Sequence, residues 1–136
     1  FNIITMAIPD SSKFGAEEKI SSLVMDDNPL PPMIIALSEI NTTCVCQALV
    51  DYNKVGDTQV YGFYTNNTIL SAIEKKIITA TVTVNTSQMG KYCIEALNEN
   101  EDYRYGNEYM PADIEVIKSD NVSAYTDAEK DGENEK

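Results

Sequence analysis

The sequence contains no histidine and no tryptophan. Without an imidazole, Ser-His-Asp and Cys-His catalysis are excluded, and so are zinc sites that need a His ligand. Cations are scarce: 10 Lys and Arg stand against 22 Asp and Glu, for a net charge of −12. Such a chain repels nucleic acid and anionic membrane surfaces and attracts a basic partner. No apolar run approaches the roughly eighteen residues of a membrane-spanning helix. A Gly-rich phosphate loop, a nucleophile elbow, a metalloprotease helix and the EF-hand spacing are also missing. The carboxylate pairs Glu17-Glu18, Asp26-Asp27 and Glu101-Asp102 read as solvated faces. Together these absences point to a protein that is not an enzyme and takes no cofactor and no metal.

What is present fits one ordinary domain. The chain has 136 residues, 43% of them hydrophobic, which is enough for a core without staples. Four Asn-x-Ser/Thr sequons begin at Asn41, Asn66, Asn85 and Asn121. With 12 Asn and 20 Ser or Thr in the chain, chance predicts about two. The excess, and a first residue that is Phe1 rather than Met, point to a secreted glycoprotein whose signal peptide has been removed. Cys44, Cys46 and Cys93 then allow one disulfide bond, Cys93 with Cys44 or Cys46, leaving one thiol over.

Hydrophobic periodicity favours β structure. Residues 15–25 form a short N-terminal helix, with Ile20, Leu23 and Val24 on one stripe. Pro29, Pro31 and Pro32 then force an extended stretch. Thr43 to Tyr52 alternates, with Cys44, Cys46, Ala48, Val50 and Tyr52 on one face. Asn53 to Asp57 is a turn in which Gly56 takes positive φ. Thr58 to Thr65 completes a hairpin, and Asn66-Asn67 supplies the next turn. Lys76 to Val84 alternates most clearly, with Ile78, Ala80, Val82 and Val84 buried and Thr79, Thr81 and Thr83 wet. Lys91 to Leu97 and Ala112 to Ile117 read as further strands. The expected fold is mainly β: an antiparallel meander, sandwich or small barrel over residues 1–117. Residues 118–136 read as a disordered acidic tail.

Two sets of residues suggest binding. Tyr103, Tyr105 and Tyr109 stand among Glu101, Asp102 and Glu108. Rings give contact area and neighbouring acids steer a basic partner, as on a surface for an extracellular protein or receptor. Alternatively, Tyr61, Phe63, Tyr64 and Tyr92 line a barrel cavity for a small, amine-bearing ligand.

The stretches Thr43-Cys-Val-Cys-Gln-Ala-Leu-Val-Asp-Tyr and Gln59-Val-Tyr-Gly-Phe-Tyr-Thr-Asn-Asn-Thr68 resemble mid-barrel strands of salivary lipocalins from blood-feeding arthropods. Their Gly-x-Trp signature is absent, since the chain has no Trp. The acidic tyrosine segment is similar to the tails of salivary thrombin inhibitors. The resemblance implies a secreted, non-enzymatic salivary effector that is vasoactive or impairs haemostasis. The alternative it implies is a lipocalin-like carrier or scavenger of a biogenic amine.

Overall fold

The computed structural model describes residues 2–8, 13–25, 29–99 and 110–126. Among these, helices and strands alternate: α1 (Lys13–Met25), β1 (Met33–Ile35), α2 (Glu39–Asp51), β2 (Gln59–Phe63), α3 (Asn67–Glu74), β3 (Ala80–Val84), α4 (Thr86–Glu99) and β4 (Ile114–Lys118). The strands make one sheet in the order β1-β2-β3-β4. The first three are parallel, and β4 runs antiparallel to β3. This is an α/β layer structure, so the expectation of a mainly β meander, sandwich or barrel is corrected. Parallel neighbours need a crossover, and here α2 and α3 supply it.

The largest correction concerns residues 43–52, which belong to α2 and not to a strand. Ser38 caps that helix by accepting a bond from the Asn41 amide at 3.1 Å, the usual task of a Ser at this position. Thr42, Val45, Cys46 and Leu49 recur at three and four residues and are buried, which is helical spacing. Val50 and Tyr52, placed inside by the alternating pattern, are 48% and 39% exposed. The expected hairpin is therefore absent, and residues 91–97 likewise lie in α4. The expected strands at residues 58–65 and 76–84 contain β2 and β3, that at residues 112–117 contains all of β4 but Lys118, and the apolar run from Met33 begins with β1. The short N-terminal helix is α1, and Gly56 has φ +95°.

α1 and α3 both pack against α2, and this helical layer covers one face of the sheet. Ile20, Val24, Leu49, Val60, Ile69, Ile73 and Ile117 are 2% exposed or less. Burying each such side chain stabilises the fold by roughly 1.5–3 kcal/mol. Register aligns Gly62 with Thr81 and Thr81 with Ile117 on this covered face. Thr81 is fully buried and Thr83 nearly so, so these two threonines expected to be wet face inward, while Thr79 is exposed and Ile78 and Ala80 are buried as expected. The Thr81 hydroxyl tolerates burial because it donates to the Tyr64 carbonyl at 2.7 Å. Val82 and Val84 point to the opposite face and are half-buried.

Cys44 and Cys46 are buried in α2, Cys93 is exposed on α4, and all three thiols are free. The expected bridge from Cys93 to Cys44 or Cys46 is not formed: two of the thiols are enclosed by the core and the third faces out. Residues 118–126, expected in the tail, are ordered. Val122 is buried and Tyr125 packs against the core. Residues 127–136 lie outside the described residues.

Candidate functional site

Because β1, β2 and β3 are parallel, their carboxyl ends share one edge of the sheet. Ile35, Phe63 and Val84 end there, and short loops lead into α2, α3 and α4. In open α/β sheets this edge is where ligands bind. The amino end of the antiparallel β4 reaches the same edge, where the Asn85 amide bonds the Asp113 carbonyl at 2.9 Å.

Each loop delivers a polar cap. Beside Ser38 on α2, the Asn66 side chain accepts from the Ile69 amide at 2.8 Å on α3. The Asn85 side chain accepts from the Gln88 amide at 2.9 Å on α4. Two of the caps are also tied to neighbouring elements. Asn66 Nδ2 donates to Glu39 Oε1 at 2.8 Å and to Thr43 Oγ1 at 3.1 Å. Asn85 Nδ2 donates to Glu115 Oε1 at 2.9 Å, and Tyr125 donates to the other Glu115 oxygen at 3.1 Å. Gln88 and Asp113 exchange two bonds, at 3.0 and 2.6 Å.

Under the edge, the buried Thr42 hydroxyl donates to the Ser38 carbonyl at 2.7 Å. It also accepts from the Phe63 amide at 3.1 Å. One side chain thus joins the loops after β1 and β2. Close approach here requires Gly62, since a Cβ at that position would overlap Thr42 Cγ2. Tyr64, next in the chain, is 42% exposed at the rim.

The edge therefore carries hydroxyls, amides, the Tyr64 ring and the carboxylates of Glu39, Asp113 and Glu115. Among the described residues no Lys or Arg occurs in its loops or in the first turns of the three helices. The cations Lys54, Lys75 and Lys76 follow the carboxyl ends of α2 and α3, at the opposite end. Such a rim suits a neutral ligand rich in hydroxyls, which both donate and accept. It lacks the cation that a carboxylate or phosphate ligand calls for. Among the described residues no three Cys, Asp or Glu side chains are grouped to hold a metal ion. An open groove of about 510 Å³ lies between α2 and α3, lined by Cys46, Val50, Ser71, Lys75 and neighbours. It contains none of the caps.

The binding residues expected from sequence fall elsewhere. Tyr103, Tyr105, Tyr109, Glu101, Asp102 and Glu108 lie outside the described residues. Tyr61 and Phe63 stand on the sheet face away from α2, Tyr64 at the rim and Tyr92 on α4. The groove between α2 and α3 holds none of the four. The sequons find part of the edge, for a different reason. Asn66 spends both Nδ2 hydrogens on Glu39 and Thr43, and a glycan would take one of them. Asn85 caps α4. Asn121 closes a turn through the Lys118 amide and the Val116 carbonyl. Asn41 is half-buried in the first turn of α2. Ser38, Glu39 and Thr65 escape sequence reasoning, whereas Tyr64 is among the aromatics it names for a small ligand, in a barrel cavity that the fold does not have. Their signal is a short strand followed within four residues by a cap-and-helix start.

Neither a family model nor a curated protein matches the sequence. Solved structures do match the fold. A solute-binding protein of an ABC transporter from Agrobacterium vitis, with bound D-fucose, gives a TM-score of 0.72 at 18% identity. The match covers 82% of this chain and 38% of that one. The arabinose-binding protein AraP from Geobacillus stearothermophilus gives 0.67 at 22% identity, over 83% of this chain and 41% of the other. A sugar-binding protein of a sugar ABC transporter from Bacillus halodurans gives 0.69 at 19%, over 83% and 43%. The chain thus spans about two-fifths of the length of the structures it matches. These neighbours overturn the likeness to salivary lipocalins, and with it the vasoactive and anti-haemostatic reading. No described helix is long and apolar enough to cross a membrane.

Proposed function

We propose that this chain is an exported, non-enzymatic binding lobe that holds a small neutral sugar at the carboxyl edge of its parallel sheet. The observation that carries this reading is the convergence of three capped helix N-termini on one edge whose described residues include no Lys or Arg. Amide, hydroxyl and carboxylate groups there are fixed by bonds to one another, so little ordering is needed when a ligand arrives. The matched solved structures are sugar-binding proteins by their own descriptions, which supports the ligand class. A single edge covers one side of a ligand, whereas tight sites enclose most of it. Affinity is therefore weak unless a second surface closes over the sugar.

The test is a nuclear magnetic resonance titration of the ¹⁵N-labelled chain with D-galactose, D-fucose and L-arabinose. The expected result is saturable shifts of the Glu39, Tyr64, Asn66 and Thr86 amides at millimolar sugar. Absence of shifts, or shifts confined to the groove between α2 and α3, rejects the edge as the site.

A further inference from the structure

Among the described residues, three that are not glycine have positive φ: Asn53 at 54°, Tyr64 at 65° and Lys76 at 57°. Two have an ordinary explanation. Asn53 and Lys76 each stand one residue past the capping residue of α2 and of α3, where helices commonly end in the left-handed conformation. Tyr64 follows a strand, so no helix end accounts for it. A bulky side chain in this region is a genuine outlier and persists only where the surroundings enforce it.

The surroundings do enforce it. The Tyr64 amide donates to the Val82 carbonyl at 2.7 Å. Its carbonyl accepts from the buried Thr81 hydroxyl at 2.7 Å. The preceding amide, Phe63, is held by Thr42. The ring itself is propped edge-on against Phe63, with centroids 4.7 Å apart and planes at 84°. Asn or Gly would take this backbone without strain. An aromatic ring is held there in spite of the backbone, at the rim of the proposed site, next to the cap Asn66.

We propose that Tyr64 is the platform on which the apolar face of a sugar ring stacks, and that Thr42 and Thr81 are the residues that position it. This rests on the sugar-binding reading above. A pyranose with an axial 4-hydroxyl, such as D-galactose, turns several C–H groups to one face, and their positive hydrogens meet the negative face of an aromatic ring. Its ring-edge hydroxyls are then free to meet amides and hydroxyls of the caps.

The test repeats the D-galactose titration on the full chain for Tyr64→Phe, Tyr64→Gly, Tyr64→Asn, Thr81→Val and Thr81→Ser, with a thermal melt of each. The ring and not its hydroxyl does the stacking, so Tyr64→Phe keeps the wild-type affinity. Tyr64→Gly and Tyr64→Asn weaken binding by about tenfold or more while melting at or above the wild-type temperature, since the strain is relieved. Thr81→Val weakens binding and Thr81→Ser restores it. If wild type binds and Tyr64→Gly binds equally well, the platform is wrong and the sugar-binding reading survives. If wild type shows no saturable shift, both fall.

Discussion

On one face of the sheet Val60, Thr81 and Ile117 are fully buried; on the other Met33, Ile35, Ile114 and Val116 remain 45–69% exposed. The residue types are alike. What differs is cover: α1, α2 and α3 lie over the first face, while no described residue of α4 is buried. Parallel sheets are normally covered on both faces. At its two edge strands the open face thus has the composition of an interior and the exposure of a surface, while Ala80 at its centre is buried. Met33, Ile35, Ile114 and Val116 alone leave on the order of 400 Å² of apolar surface, within the range at which a patch on a monomer marks an interaction site.

The comparison is broken most directly by truncating one residue on each side. Leu49→Ala or Ile73→Ala, both in the layer over the covered face, should cost about 2–5 kcal/mol in urea unfolding. Ile35→Ala or Ile114→Ala should cost about 0.5 kcal/mol or less. Equal costs on the two faces would show that the open face is covered in solution.

A sharper probe of the covered face is overpacking. Gly62→Ala drives a methyl group into Thr42 Cγ2, with Thr42 Oγ1 and Thr81 Oγ1 each 3.1 Å from the new atom. A cost of about 1–3 kcal/mol is expected. Thr42→Ser removes the offending methyl and keeps the hydroxyl that holds Ser38 and Phe63. In the Gly62→Ala background it should recover part of the loss, giving a non-additive cycle. Additive costs would mean that the α2–β2 contact is looser than described.

The helical layer should also announce itself at alkaline pH. Burial pushes the Cys46 thiol up from its ordinary 9.0 to about 12. Cys44 is raised as well, chiefly by burial and then by Glu17. Above pH 9 the unfolded chain loses a proton that the folded chain keeps. Stability from this group is therefore complete below about pH 9 and falls as pH rises toward 12. The slope is at most about 1.4 kcal/mol per pH unit. Cys46→Ala should flatten it, and superimposable profiles would remove Cys46 from the core. The exposed Cys93 should alkylate readily while Cys44 and Cys46 stay protected until unfolding.

How much of this was legible follows from what each pattern measures. Alternation finds β2, β3 and β4 because their side chains do alternate between two faces. It fails at residues 43–52 because α2 packs against both α1 and α3 and so buries Cys44, Cys46 and Ala48, although two residues is more than half a turn of helix. Only Val45 and Leu49, one residue off the alternating row, reveal the helix. In β3 the inner face is assigned by hydrophobicity, yet Thr81 goes inside because a backbone carbonyl awaits its hydroxyl. At the site, the sequons single out Asn66 and Asn85 as polar residues in loops, which they are. That these loops share one edge depends on parallel pairing, and residues 36–38 and 64–66 carry no local signal for it. Tyr64 is the least legible, since its meaning lies in a φ angle.

The smallest expected effect concerns the open face itself. Ile35 and Ile114, 62% and 69% exposed, stand on β1 and β4, the two edge strands. A Lys at either place keeps its ammonium in water while its stem lies on the sheet, and Lys is a common guard against unwanted strand pairing at an edge. Ile35→Lys and Ile114→Lys should each leave stability within about 0.5 kcal/mol of wild type. Both should lower binding of a dye that reports exposed apolar surface, with the double variant lowest. The same samples give a mass by light scattering. If wild type has twice the monomer mass and either lysine halves it, the open face is buried against a second copy. The exposures on β1 and β4 would then belong to the isolated chain alone. If the mass is that of a monomer throughout and dye binding falls stepwise, the two faces differ in solution as they do in the structure, and the covering layer of α1, α2 and α3 accounts for the difference.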